Sequence, residues 1–293
     1  MIKRFLWKVT AILPDDIFIK IQYFRFLRKF PDLKNPRTFN EKLQWLKLHD
    51  RNPFYTVLVD KYKVREYIAE KIGRQYLIPL LGVWDDPGEI DFDKLPNKFV
   101  LKCNHNSGLG MCICKDKTML NINKVKEDLS KGLRQNYYLT GREWPYKDVN
   151  PCIIAEKYIE NTDLKELVDY KFYCFNGYVD SVMVCIGRST GVPRFYFFDK
   201  NWNLKRYNMC GNAAPRDFSL ERPANMDKMF GIAEVLSKEI EAPFVRVDLY
   251  NVDGKIYFGE FTFYPDSGFD GNRLPETDLY FGSMVKLCSN HTI

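Results

Sequence analysis

The sequence predicts an α+β fold with mixed sheets, and three observations carry that expectation. Val245, Val247 and Leu249 interleave with Arg246, Asp248 and Tyr250, and a second apolar run follows the turn-forming Asn251-Val-Asp-Gly254, as in a hairpin. Upstream, the strand-like Phe99-Val-Leu-Lys102 leads through a glycine-containing loop into a second strand, Met111-Cys-Ile-Cys114. One long helical pattern covers about 226–241, between stretches that read as β.

The chain of 293 residues is long enough for a sizeable core in one large domain or two to three lobes. Its 44 Lys+Arg against 38 Asp+Glu give a net charge of +6, which suits an anionic substrate or membrane surface without requiring nucleic acid. The eight cysteines are scattered through apolar segments with no CxxC pair, and there are only three histidines. A Cys/His zinc site is therefore not expected; buried thiols in a reducing cytoplasm are. No run of apolar residues is long enough to read as a membrane span.

At the N-terminus Ile2, Phe5, Leu6, Val9, Ile12 and Leu13 recur at helical spacing with Lys3, Arg4 and Lys8 among them. No small-residue cleavage site follows, so a signal peptide is not expected. The pattern fits a helix packed on the body or one lying on an anionic membrane surface, and the basic-aromatic stretch Tyr23–Phe30 keeps the second reading in play. Residues 36–73 read as helical: Thr38-Phe-Asn-Glu41 is a capping box, and a second helix opens near Asp60, carries Val64, Tyr67, Ile68 and Ile72, and stops at Gly73. A short strand is expected within Tyr76–Trp84, a helix near Asn123–Tyr137, a strand at Cys152–Ala155, strands over 168–198 and a closing helix over Thr277–Leu287.

Four segments carry chemistry. On the terminal hairpin, Asp248 and Glu260 can lie side by side with Arg246 on the same face, Ile256, Phe258 and Glu260 being read as one alternation. Two such carboxylates suit Mg²⁺ held by oxygen, although a solvated outer face gives the same pattern. After Lys102, the loop Asn104–Gly110 combines Ser107, Gly108 and Gly110, whose backbone N–H groups can approach phosphate oxygens while Lys102 adds a charge. Two glycines and few apolar anchors predict that this whole loop is mobile without nucleotide. The apolar strand before Glu156 turns polar there and apolar again at Tyr158-Ile159, an edge that can receive adenine, with Glu160 or Asp163 near the ribose. Lys171 stands in an otherwise apolar strand, where a lysine is costly unless it meets an anion.

The order of these segments resembles the ATP-grasp superfamily. Pro36-Arg-Thr-Phe-Asn-Glu-Lys-Leu-Gln-Trp-Leu, Asp60-Lys-Tyr-Lys-Val-Arg, Phe99-Val-Leu-Lys-Cys-Asn-His, Asp169-Tyr-Lys-Phe and Phe258-Gly-Glu-Phe-Thr-Phe-Tyr-Pro are similar to its TupA-like (teichuronopeptide biosynthesis) branch, from about residue 33 to 285. The resemblance implies an ATP-grasp fold, with nucleotide between two mixed or antiparallel sheet lobes: after the basic N-terminal segment (1–35), most of which lies outside the resemblance, come a helical or α/β lobe (36–96), a lobe with the Gly loop (97–158) and a lobe with the metal hairpin (159–293). It implies Lys102 and Lys171 as phosphate-binding lysines, Ser107–Gly110 as the loop over the phosphates, and Glu156, Lys157, Tyr158 and Ile159 as the adenine hinge, with Asp163 or Glu160 at the ribose. It also implies Asp248 and Glu260 as Mg²⁺ ligands and Arg246 as the group that stabilises the transferred phosphoryl or the tetrahedral intermediate. Many relatives carry Asn two residues after the metal Glu; here Thr262 stands there, a poorer ligand.

The implied activity is an ATP- and Mg-dependent carboxylate–amine ligase of cell-surface polysaccharide synthesis, cytoplasmic or peripheral to the membrane. Its expected substrates are a carboxylate-bearing small molecule or glycan, such as a uronic acid, and an amine or amino acid. A sugar phosphotransferase, with Asp266 or Asp270 as base, and a nucleotide-sugar glycosyltransferase are the alternatives. The acceptor is expected among Tyr264, Phe269 and Arg273.

Overall fold

The computed structural model describes residues 12–162, 167–188 and 190–287. The helical reading of residues 2–13 and the position of Asp163 fall almost entirely outside them. The described chain opens with α1 (Asp15–Leu27), which ends at Arg28 in the left-handed conformation. In α2 (Phe39–His49) the expected capping box forms, Thr38 Oγ1 accepting from the Glu41 amide at 3.2 Å and the Glu41 carboxylate from the Thr38 amide at 3.0 Å. The helical stretch then divides into α3 (Phe54–Val59) and α4 (Val64–Lys71), three helices where the sequence pattern suggests two. Pro53 opens the extra one, and Asp60 separates the pair by accepting from the amides of Tyr62 and Lys63.

Next come β1 (Leu80–Trp84), β2 (Phe99–Cys103), β3 (Met111–Cys114), α5 (Ile122–Leu133), α6 (Tyr138–Gly141) and β4 (Ile153–Lys157). The four strands form a sheet in the order β1-β4-β2-β3, which therefore takes one strand from before residue 97. Phe99, Leu101, Ile153 and Ala155 point from one face into a small core closed by Val125 and Leu129 of α5. The other face carries Val100, Lys102, Met111, Ile113 and Glu156, related by register.

The rest of the chain is β5 (Asp169–Phe175), β6 (Tyr178–Ile186), β7 (Arg194–Phe198), β8 (Leu204–Lys205), α7 (Met209–Ala213), α8 (Met226–Ile240), β9 (Phe244–Val252), β10 (Lys255–Thr262) and α9 (Pro275–Met284). Its six strands are ordered β10-β9-β5-β6-β7-β8. Every strand pairing in both sheets is antiparallel among the described residues, so the expected mixed sheets are antiparallel ones. Two tight reversals help impose this: Asn176-Gly177 and Asp253-Gly254 both have positive φ at consecutive residues, the requirement of a two-residue hairpin turn.

The large sheet buries Phe172, Val247 and Leu249 against α8, with Phe172 and Phe230 ring centroids 5.0 Å apart. Its opposite face begins as an aromatic layer, where Phe175 and Phe244 meet Phe39 of α2 and Phe281 of α9. A few residues along the same strands that face becomes charged.

Candidate active site

The charged rows follow directly from strand register. Lys171, Asp248 and Glu260 are partners across β5, β9 and β10, and Tyr173, Arg246 and Thr262 form the next row. Glu260 reaches this face by a route that simple alternation misses. The register shifts between Phe258 and Glu260, a bulge at Gly259, so Glu260 shares its face with Asp248 while Phe258 packs in the core. In a regular strand Glu260 would point into the apolar core with Phe258; the bulge puts the two on opposite faces, so Ile256, Phe258 and Glu260 are not one alternation.

The rows are buried and densely paired, which rules out a solvated outer face: Asp248 is 4% exposed and Arg246 9%. Arg246 donates from Nε to Asp248 Oδ1 and from Nη2 to Asp248 Oδ2, both at 2.7 Å, and from Nη2 to Thr262 Oγ1 at 3.0 Å. Lys171 Nζ lies 2.5 Å from Asp248 Oδ2. Burial alone would raise the Asp248 carboxyl, but the Arg246 and Lys171 charges outweigh it and hold the group below the usual carboxylate range. Glu260 is less enclosed, 4.0 Å from Arg246 and 3.7 Å from Lys61.

The small sheet faces this array with a lysine and a carboxylate. Lys102 Nζ is 2.7 Å from Glu156 Oε2, and Arg65 holds the other oxygen at 2.9 Å while donating to the Ile78 carbonyl at 2.7 Å. The Glu156 carboxylate is thus engaged by two cations. Lys157, Tyr158 and Ile159 continue along the rim, and the Lys157 amide donates to Pro79 O at 2.9 Å. Lys98 pairs with Glu160 at the exposed end of that rim.

The loop after β2 is anchored through its first half, correcting the expectation of mobility throughout. Asn104, His105 and Asn106 are buried; Asn104 Nδ2 donates to Asp60 Oδ1 and Asn150 O, and Asn106 Nδ2 to Gly132 O. The polar side chains that look like loop composition are the anchors. Gly110 is also fixed, because a Cβ there would lie 2.8 Å from Gly132 Cα and 2.9 Å from Cys103 Sγ. Only Ser107, Gly108 and Leu109 are exposed as a tip.

Two adjoining cavities share Ser107, Lys171, Arg188 and Glu260. The larger, about 700 Å³, lies between the sheets and joins an apolar floor of Val100, Met111 and Ile113 to Lys61, Lys102, Asp248 and the stretch Glu156–Ile159. The smaller, about 480 Å³, contains Arg246, Thr262, Tyr137, Tyr146, Tyr173 and Tyr264 together with Glu143, Asp266 and Asp270. Of the expected acceptor residues, Tyr264 and Arg273 line this second cavity. Phe269 does not; it stacks on Phe26 at 5.5 Å and meets Tyr23 edge-on, so it secures α1.

Several of these groups went unread in the sequence. Lys61 donates to Asn106 O at 2.7 Å, and burial lowers its ammonium pKa against the pull of Glu260. Lys61 and Arg65 both belong to the Asp60-Lys-Tyr-Lys-Val-Arg segment, whose charges at helical spacing were the available signal. Arg188 contacts Asp169 at 2.8 Å beside the shared wall. Glu143 is buried, and that burial raises its carboxyl despite the opposing Lys47 charge and a hydrogen bond with Ser267. Lys47 in turn donates to Ser267 O at 2.6 Å, Ser267 Oγ at 3.0 Å and Gly141 O at 2.7 Å.

No group of three His, Cys, Asp or Glu side chains able to hold a metal occurs among the described residues. Asp248 and Glu260 as adjacent carboxylates nevertheless fit Mg²⁺, which takes one or two protein carboxylates and completes its shell with phosphate oxygens and water. Thr262 offers a weaker oxygen already accepting from Arg246.

Residues 41–286 match the family described as TupA-like ATPgrasp, a span containing every site residue named above. Among solved structures, D-alanine–D-alanine ligase from Bacillus anthracis is 19% identical, covering 78% of this chain and 66% of its own, with a TM-score of 0.44. The D-alanine–D-alanine ligase from Helicobacter pylori is 11% identical over 85% of this chain and 69% of its own, with a TM-score of 0.47. An L-amino acid ligase from Bacillus licheniformis is 13% identical over 78% of this chain and 49% of its own, with a TM-score of 0.43. The chain thus spans from about half to about two thirds of the length of these proteins. No curated protein matches it significantly.

Proposed function

The chain belongs to the TupA-like ATP-grasp family, and we propose that it is an ATP- and Mg-dependent carboxylate–amine ligase. The observation that carries this reading is the junction of two cavities at Lys171 and Glu260, one suited to a nucleotide and one to an acceptor. Adenine sits on Val100, Met111 and Ile113 against the hinge Glu156–Ile159, the ribose falls toward Glu160, and the triphosphate runs past Lys102 and Lys61 to Lys171. Ser107, Gly108 and Gly110 belong to the loop over the phosphates, with Ser107 and Gly108 at its open tip. Mg²⁺ held by Asp248 and Glu260 supplies charge neutralisation at the phosphates.

The reaction has two balanced steps. An oxygen of the acceptor carboxylate attacks the γ-phosphorus, the bond to the ADP oxygen breaks, and ADP leaves with the electron pair. An amine nitrogen then attacks the carbonyl carbon of the acylphosphate, inorganic phosphate departs, and the nitrogen loses a proton. Arg246 lies in the acceptor cavity beside Glu260, where its guanidinium stabilises the oxygen that gains charge in both steps. Glu143 is the proton acceptor: it is buried in the same wall, and its raised pKa brings it closer to the working range of a general base. Tyr137, Tyr146, Tyr173 and Tyr264 provide apolar faces and hydroxyls suited to a sugar ring, which supports a uronic acid or uronate-bearing glycan of polysaccharide synthesis as the acid.

Asp266 favours one alternative, phosphoryl transfer to a sugar hydroxyl, because it lines the same cavity and its carboxyl pKa is raised, chiefly by burial. Incubation with ATP, Mg²⁺, a panel of uronic acids and amino acids, and hydroxylamine, with a parallel incubation on nucleotide-sugars, separates the readings. The ligase gives ADP, free phosphate and a hydroxamate. A stable phosphorylated sugar without hydroxamate establishes the kinase, and release of a nucleoside diphosphate from a nucleotide-sugar establishes a glycosyltransferase.

A further inference from the structure

Among the described residues, α1 buries one face and leaves the other bare. Phe18, Ile19 and Tyr23 face inward, while Ile17, Ile21 and Phe24 recur on the outside at 42, 48 and 44% exposure. Phe30, 66% exposed, folds back so that its ring stacks on Phe24 with centroids 4.9 Å apart. Phe26 is exposed too but projects from the opposite side of the helix, onto Phe269. A run of large apolar side chains on one exposed face is uncommon on a free soluble surface and marks a contact site.

Charge identifies the partner. Between Ile17 and Phe30 the chain has four cations, Lys20, Arg25, Arg28 and Lys29, and no acid. All four are exposed, and only Lys20 has a carboxylate partner among the described residues, Asp16 at 3.1 Å. Apolar rings rimmed by cations, three of them without a carboxylate partner among the described residues, match the interface of an anionic bilayer, where rings enter the acyl boundary and cations stay at the headgroups. A protein partner would need a matched acidic rim as well as an apolar groove. The bilayer supplies both without shape complementarity, so we propose that α1 and its extension to Phe30 form a peripheral docking surface for anionic membrane. No helix among the described residues is long and apolar enough to cross one.

The attachment of α1 gives this surface a connection to chemistry. Asp15 holds Arg142 at 3.0 Å and accepts from the Tyr138 hydroxyl, next to Tyr137 and Thr140 of the acceptor cavity. On the other side Phe26 and Tyr23 grip Phe269, adjacent in sequence to Asp270 of that cavity. A bilayer-bound α1 therefore keeps the acceptor cavity close to the membrane, as a lipid-linked acceptor requires. The docking itself is independent of the ligase reading and can be tested without any substrate.

The full chain is to be sedimented with phosphatidylcholine vesicles and with phosphatidylcholine–phosphatidylglycerol vesicles. Binding is expected to the second only and to weaken with salt. Replacing Lys20, Arg25, Arg28 and Lys29 by Gln should reduce it on the order of fivefold per charge. Phe24→Ser with Phe30→Ser should reduce it at least about tenfold, with an unchanged circular dichroism spectrum and melting curve, since both rings lie outside the core. Brominated acyl chains should quench Phe24→Trp beyond the wild-type level. The proposal fails if the full chain ignores anionic vesicles or binds neutral ones equally. It also fails if the bound Phe24→Trp chain shows no excess quenching, or if the Phe24/Phe30 variant instead converts a dimer to a monomer, which would make a second copy the occupant of this face.

Discussion

The two cavities proposed for nucleotide and acceptor share a wall yet are built from different material. Apart from Lys61 and the loop tip, the polar groups around the larger cavity come largely from neighbouring strands, where pairing places Lys171 beside Asp248 and Asp248 beside Glu260. The acceptor cavity is closed by α6, the segment around Glu143 and the turn after β10, where Asp266 and Ser267 have φ of 49° and 54°. Two consecutive non-glycine residues in the left-handed region are costly, and the buried contacts of Lys47 with Ser267 help keep them there. A strand framework keeps its geometry whatever the side chains do, whereas a turn framework depends on the side chains that pin it. Substitutions in the first region should therefore change chemistry at constant stability, and those in the second should change both.

The most severe test of that contrast is Glu260→Gln, which keeps the shape and removes one of the two carboxylate charges proposed to hold Mg²⁺. Turnover should fall by about 10³-fold or more, since the loss is worth several kcal/mol, while the melting temperature stays near wild type. Unchanged turnover would mean that the hairpin carboxylates are structural. Arg246→Lys comes next. It keeps a charge but loses the fork that engages both Asp248 oxygens and Thr262, so turnover should fall on the order of a hundredfold with little change in ATP affinity. A parallel loss of ATP affinity would move Arg246 from the acceptor to the nucleotide.

Glu143→Gln probes the turn-built side. Because burial raises the Glu143 carboxyl, the base is ionised only above that raised pKa, and amide formation should climb with pH through it in the wild type. The Glu143→Gln variant should lose this acid limb and about a hundredfold in amine coupling. It should still form hydroxamate, because hydroxylamine is uncharged near neutrality and needs no base. Equal loss of both products would show that Glu143 acts on structure or on the first step.

The contrast also explains what was legible in the sequence. Lys102, Lys171, Arg246 and Asp248 stand out because each interrupts an apolar strand, and a two-residue period assigns each a face. Glu260 is noticeable too, but simple alternation misjudges its face by one residue, since nothing in Phe258-Gly-Glu260 distinguishes a bulge from a plain glycine. Glu143 and Lys47 carry no periodic signal; they are nearly a hundred residues apart in sequence, 94 for the Lys47–Gly141 bond, and only tertiary folding joins them. The aromatic Phe269 looks like a ligand platform because its other partner, α1, lies almost at the opposite end of the chain.

The finest test lies within one loop, comparing its anchored base with its open tip. Gly110 has φ +69° and would place a Cβ 2.8 Å from Gly132 Cα and 2.9 Å from Cys103 Sγ. Gly110→Ala must therefore separate the loop from α5, at a cost of about 2–3 kcal/mol in urea unfolding. Gly108 has φ +82° but open space around it, so Gly108→Ala should cost only about 1 kcal/mol from the backbone conformation. Its consequence should appear in ligand binding instead: ADP affinity should weaken a few-fold, by roughly 1 kcal/mol or less, because the tip can no longer bring its N–H groups as close to the phosphates. If both variants lose stability equally, the tip is as fixed as the base and is no flexible cover. If Gly108→Ala leaves ADP affinity untouched, the loop holds its conformation for packing against α5, and phosphate recognition rests on Lys61, Lys102 and Lys171 alone.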